Sequence, residues 1–107
     1  MLKIDSLQDL MHLPMLPKMF EFEGQVFRIS GSSANSLIDM LTGQTRIGFT
    51  SFRSEDKVIT LWAGLLNDCA IHPFCVIEGE DRKTLDEAIK NYESLTAMGM
   101  TPKGVEA

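Results

Sequence analysis

Cys69, His72 and Cys75 lie three residues apart and are the most reactive side chains that the sequence brings close together. A thiol beside an imidazole can act as nucleophile and base when a third group orients the pair. No orienting group accompanies them, and His72 precedes Pro73, where a capping or solvent-facing histidine is ordinary. Two cysteines are too few for a disulfide framework and lack zinc-ligand spacing. Both are expected as reduced, buried thiols. His12 has no ligand set around it. Glu78, Glu80, Asp81, Asp86 and Glu87 cluster, but without the alternating Asp/Asn ligands and central glycine of a calcium loop. They read as a solvated turn and a helix start, where the dipole favours negative charge. Gly24, Gly31 and Gly43 form neither a GxGxxG fingerprint nor a P-loop. The expectation is therefore no catalytic residue, no cofactor and no metal.

The methionines point to a different chemistry. There are seven in 107 residues, and Met15, Met19, Met98 and Met100 lie in or next to connecting segments. Flexible, polarisable thioethers fill irregular cores, and they also suit surfaces that adapt to apolar partners.

Length and composition fix the setting. A chain of 107 residues supports one domain, and 44% hydrophobic with 23% charged residues is an ordinary globular balance. A net charge of −5 without a basic cluster disfavours nucleic acid. No apolar run is long enough to span a bilayer. Asp5 and Asp9 interrupt any signal-peptide core, so a cytoplasmic location is expected.

The elements that position these residues can be sketched from periodicity. Ile4–Leu13 has helical spacing, with Ser6 and Asp9 as an imperfect capping box, and Pro14 and Pro17 end it. Met19–Ser30 reads as a hairpin about Glu23-Gly24-Gln25, with Phe20, Phe22, Phe27 and Ile29 on the buried face. A short helix is expected over 34–41, closed by Gly43. Thr42–Arg53 is either a strand around Ile47–Phe49 or a loop. Val58, Leu61, Trp62, Leu65, Leu66 and Cys69 recur at helical intervals behind Ser54, Glu55 and Asp56, which predicts a central helix over 55–70. Phe74–Ile77 is β-prone. Thr84–Glu87 forms a capping box for a last helix over 84–98, with a stripe of Leu85, Ala88, Ile89, Tyr92 and Leu95. The expected fold class is α+β, a small antiparallel hairpin or sheet packed against three to four helices. Its single domain covers 1–107: an N-terminal helix and proline linker over 1–18, a core over 19–99 and a frayed tail over 100–107. Leu61, Trp62, Leu65, Leu66, Ile89 and Tyr92 are expected to be largely buried.

The run Phe20-Glu21-Phe22-Glu23-Gly24-Gln25-Val26-Phe27-Arg28-Ile29, the short helix over 33–41, the segment Leu65-Leu66-Asn67-Asp68-Cys69-Ala70-Ile71-His72-Pro73 and a closing helix together resemble the tail assembly chaperones of long-tailed bacteriophages and prophages. The pattern departs from that family in carrying His72 where an acidic residue is typical. The resemblance implies a non-enzymatic protein of the bacterial host cytoplasm that coats the long helical tape-measure protein during tail assembly. It implies partners that are long helical proteins, while charge and hydropathy already predict no nucleic acid and no membrane.

Self-association is expected through Thr42–Arg53, because Ile47, Phe49 and Phe52 are apolar for a free loop. The candidate partner-binding residues are Phe49, Phe52, Met98 and Met100, each outside the strong amphipathic stripes. Two other classes stay open: a small acidic regulator or inhibitor of one folded partner, and a minor thiol enzyme using Cys69, His72 and Cys75.

Overall fold

The computed structural model describes residues 1–33, 46–65 and 71–97. Five antiparallel strands form one meander in the order β1-β2-β3-β4-β5: β1 Met19–Phe22, β2 Gln25–Ser33, β3 Arg46–Ser54, β4 Lys57–Leu65 and β5 Ile71–Glu78. A 3-10 helix, Leu7–His12, precedes them, and helix α1, Asp81–Ala97, follows.

The β1–β2 hairpin follows its sequence except at Ile29, which was expected on the buried face but is exposed beside the register shift between Ile29 and Gly31. Phe22 pairs with Gln25, leaving Glu23 and Gly24 as the turn, both at positive φ (51° and 78°). Two left-handed residues make the type I′ turn, whose twist matches that of the strands. Phe20 faces Phe27 across the pair, their rings stacked at 5.3 Å, and Phe52 from β3 meets Phe20 edge-on at 5.0 Å. These three rings are buried and join Ile4, Leu10, Ile59, Leu61 and Val76 in the larger core cluster.

The expected packing of a small sheet against three to four helices is overturned. The segment read as a central helix over 55–70 is β4 through Leu65, and 66–70 lies outside the described residues. Ser54 pairs with Lys57, so Glu55 and Asp56 are a hairpin turn and not a helix start. The physical reason is burial on both faces of β4. Val58, Ile59, Thr60, Leu61, Trp62 and Ala63 are all buried, as in a strand covered above and below. An unbroken apolar run contains the helical spacing as a subset. Thr42–Arg53 also resolves: from Arg46 it belongs to β3, hydrogen-bonded between β2 and β4. β2 continues to Ser33, with a register shift between Ile29 and Gly31. The expected helix over 34–41 and the tail over 100–107 lie outside the described residues.

Two layers flank the sheet. On one face, α1 packs against β4 and β5 through Ala88 and Tyr92, which surround Trp62 and Cys75. It starts at Asp81, so Thr84–Glu87 is not its capping box: Thr84 lies within the first turns, its hydroxyl donating to the Glu80 carbonyl at 3.0 Å. On the other face, the N-terminal segment ties the sheet edges together. The Ile4 N–H donates to the Glu21 carbonyl (3.0 Å) and the Glu21 N–H to the Leu2 carbonyl (2.8 Å), so an extended strand piece covers the outer edge of β1. The 3-10 helix that follows lies against β5. Pro73 is tolerated in β5 because that strand is the last in the sheet order and its outer side needs no ladder donor.

Candidate functional site

Asp9 starts the construction of the site. Its Oδ2 accepts the backbone N–H groups of Asp5 (3.0 Å) and Ser6 (3.1 Å), anchoring the first turn of the 3-10 helix. These backbone bonds hold the Asp9 carboxyl below its ordinary pKa. The turn thus fixed delivers Leu10 into the core and stops at Leu13, which is already extended. Pro14 and Pro17 keep the chain from resuming a helix, and the linker crosses back to β1.

Beneath that linker lies an apolar groove of about 480 Å³. Its floor is made by small residues of adjacent strands, Gly48 on β3 and Ala63 on β4, with Thr50 and Leu61 beside them. Leu13, Met15 and Leu16 form the N-terminal wall, and Ile29 borders it from β2. Met15 is 80% exposed, Ile29 46% and Leu16 39%, so large apolar side chains stand at the rim in water. The hydroxyls of Ser32 and Thr50 are its polar side-chain groups, and none of its lining residues is titratable. Such a groove can bury apolar side chains but supplies no acid, base or nucleophile.

The expected partner-binding residues are dispersed. Phe49 borders the groove, but its ring rests on Trp62 at 5.4 Å on the helix side of the sheet. Phe52 is fully enclosed against Phe20. Met98 and Met100 lie outside the described residues. Met15, which was not among the expected residues, stands at the rim. Leu13, Leu16, Ile29 and Ala63 escaped notice because no single residue type marks a groove floor. The available signal was the pair Leu16 and Met15 held between two prolines.

The reactive candidates are also placed. Cys75 is buried, its Sγ accepting a hydrogen bond from Asn91 Nδ2 at 3.2 Å, and burial pushes its thiol pKa up. A raised pKa suppresses the thiolate, the nucleophilic form. Cys69 and the His72 side chain lie outside the described residues. His12 is exposed in the last turn of the 3-10 helix. Glu78 and Glu80 lie at the turn into α1, where the Glu80 carboxylate faces Arg53 at 3.5 Å. Among the described residues no group of three or more His, Cys, Asp or Glu could hold a metal ion.

Compared with known proteins, the chain matches no family model, no curated protein and no solved structure. No helix among the described residues is long and apolar enough to cross a membrane.

Proposed function

We propose that the protein is a non-enzymatic chaperone that shields the apolar stripe of a long helical partner, in the manner of the phage and prophage tail assembly chaperones that its hairpin and closing helix resemble. The observation that carries this is the groove: an apolar trough with a small-residue floor and exposed Met15, Leu16 and Ile29 at its rim. Contiguous exposed apolar surface marks interaction sites in soluble proteins. Unbranched Met and Leu on a proline-bounded linker can re-pack around successive side chains of a repetitive partner. The net charge of −5 would keep a complex with an aggregation-prone helix in solution.

Part of the original pattern no longer supports this proposal, because Lys57–Leu65 is a strand and not the helix of the family pattern. The thiol-enzyme alternative is disfavoured by the buried, hydrogen-bonded Cys75. The inhibitor alternative predicts one folded partner rather than an unfolded or isolated helical one.

Co-expression with a helical tape-measure-type protein, followed by pull-down at low and high salt, tests the proposal. Retention at both salt concentrations, lost on substituting Met15 and Leu16 by Ser, supports it. Absence of a complex with the wild-type protein refutes it.

A further inference from the structure

Residues 1–13 are held on the sheet mainly by apolar side chains. Among the described residues, two backbone bonds tie their extended part to β1, and both involve Glu21. Its N–H donates to the Leu2 carbonyl (2.8 Å), and its carbonyl accepts the Ile4 N–H (3.0 Å). Lys3, itself exposed, adds an ion pair with Glu21 at 3.8 Å, which contributes little. Ile4 and Leu10 are buried in one cluster with Phe20, Phe27 and Phe52, and Leu7, Met11 and Leu13 pack against it. The Asp9 cap, by contrast, is internal, since its carboxylate accepts the N–H groups of Asp5 and Ser6. The segment thus carries its own turn wherever it is seated.

An empty seat would be costly. Without residues 2–4, the outer edge of β1 presents the Glu21 N–H and C=O unpaired, and an open strand edge is a template for another chain. Without Ile4 and Leu10, the cluster of three phenylalanines opens to water. The occupant whose fit the structure shows is this segment itself, so the same segment of a second copy restores each of these contacts. The linker that follows favours such an exchange. Pro14 and Pro17 keep it extended, and Pro14, Met15 and Leu16 are exposed. The next backbone tie to the sheet among the described residues is the Ile29 N–H on the Lys18 carbonyl at 3.0 Å. A stiff, extended connection lowers the effective concentration of a segment at its own seat.

We propose that two copies of the chain exchange these segments, residues 1–13 of each seated on the sheet of the other. Leu10 and Leu13 line the groove, so each groove is then completed by side chains of the second copy. Exchange is independent of what the groove binds.

Wild-type protein refolded from denaturant at ~1 mM, near the effective concentration set by a short tether, should give dimers by light scattering, and refolding at ~10 μM should give monomers. The pair I4A/L10A should stay monomeric at both, because its segment seats poorly. M15S/L16S leaves the seated side chains intact and should dimerise like wild type. Trp62 emission reports whether I4A/L10A folds, and Leu10→Ala alone replaces it if it does not. A fluorescein-labelled peptide with the sequence of residues 1–13 supplies the second copy's segment in isolation. By anisotropy it should bind I4A/L10A saturably and at least ~10-fold more tightly than wild type, whose own tethered segment competes for the seat. A scrambled peptide of the same composition should not bind. A wild-type monomer after refolding at the higher concentration, equal dimerisation of I4A/L10A, no saturable binding of the peptide, or equal binding of the scrambled one would each overturn the proposal.

Discussion

The Trp62 indole N–H donates to Thr84 Oγ1 at 2.9 Å, with both side chains buried, and joins the middle of β4 to the first turn of α1. The Thr84 hydroxyl in turn donates a hydrogen bond to the Glu80 carbonyl at 3.0 Å, so one hydroxyl accepts from the sheet and donates at the start of the helix. Replacing Thr84 by Val keeps the shape and removes the acceptor. The stranded indole N–H should cost ~1–3 kcal/mol. A denaturant titration followed by Trp62 fluorescence measures it; a change below ~0.5 kcal/mol would mean that water reaches the indole.

Phe52 tests the corrected position of β3. As a loop residue it would tolerate truncation, but it is fully enclosed and edge-on to Phe20. Phe52→Ala should therefore destabilise the protein by ~3–5 kcal/mol, the range for deleting a core ring. Equilibrium unfolding of the variant decides between the two placements.

How much of this was legible in advance depends on which faces of an element are buried. The β1–β2 hairpin is one-sided where Phe20 and Phe22 alternate with Glu21 and Glu23, and its strands, its turn and most of its buried face could be read directly. The last helix was legible as well, since Ala88 and Tyr92 lie on its buried stripe. β4 was not, because both its faces are covered and the period of two vanishes from Val58 to Ala63. The β-branched run Val58-Ile59-Thr60 was the overlooked clue. The groove was less legible still, since its lining comes from five separate stretches of chain and depends on where small residues meet across strands.

Cys75 should react slowly. Burial is the main cause of its raised pKa, with Glu87 adding to it and the Asn91 hydrogen bond opposing it. Iodoacetamide modification at neutral pH, mapped to Cys75 by mass spectrometry, should be at least ~10-fold slower than in denaturant. Equal rates would place the thiol in solvent and revive a chemical role for it.

Asp9 gives a pH signature of defined sign. Its folded carboxyl is depressed by the N–H groups of Asp5 and Ser6, with a smaller contribution from His12. A depressed acid contributes stability that is fully present above its ordinary, unfolded pKa and is lost as pH falls through the folded value. Wild type should thus lose more stability than Asp9→Asn on acidification below the ordinary carboxylate range, and the two should converge at low pH. Because the group is exposed, the gap at neutral pH is expected to be small, and parallel curves across the range would show that the cap contributes nothing.

The groove itself can be tested without a partner in hand. Exposed apolar surface on a native protein binds the dye anilinonaphthalene sulfonate, and a trough of about 480 Å³ is large enough to hold it. Ala63 lies on the floor, so Ala63→Phe should place a ring in the open space rather than in packed core. Native-state dye fluorescence should fall sharply in Ala63→Phe. At the rim, Met15→Ser/Leu16→Ser should weaken dye binding while changing stability by no more than ~0.5 kcal/mol, as expected for exposed positions. A bound helical partner should displace the dye from wild type, because both need the same apolar walls. If the dye binds equally to wild type and Ala63→Phe, the exposed apolar surface lies elsewhere, and the groove loses its claim to be the binding site.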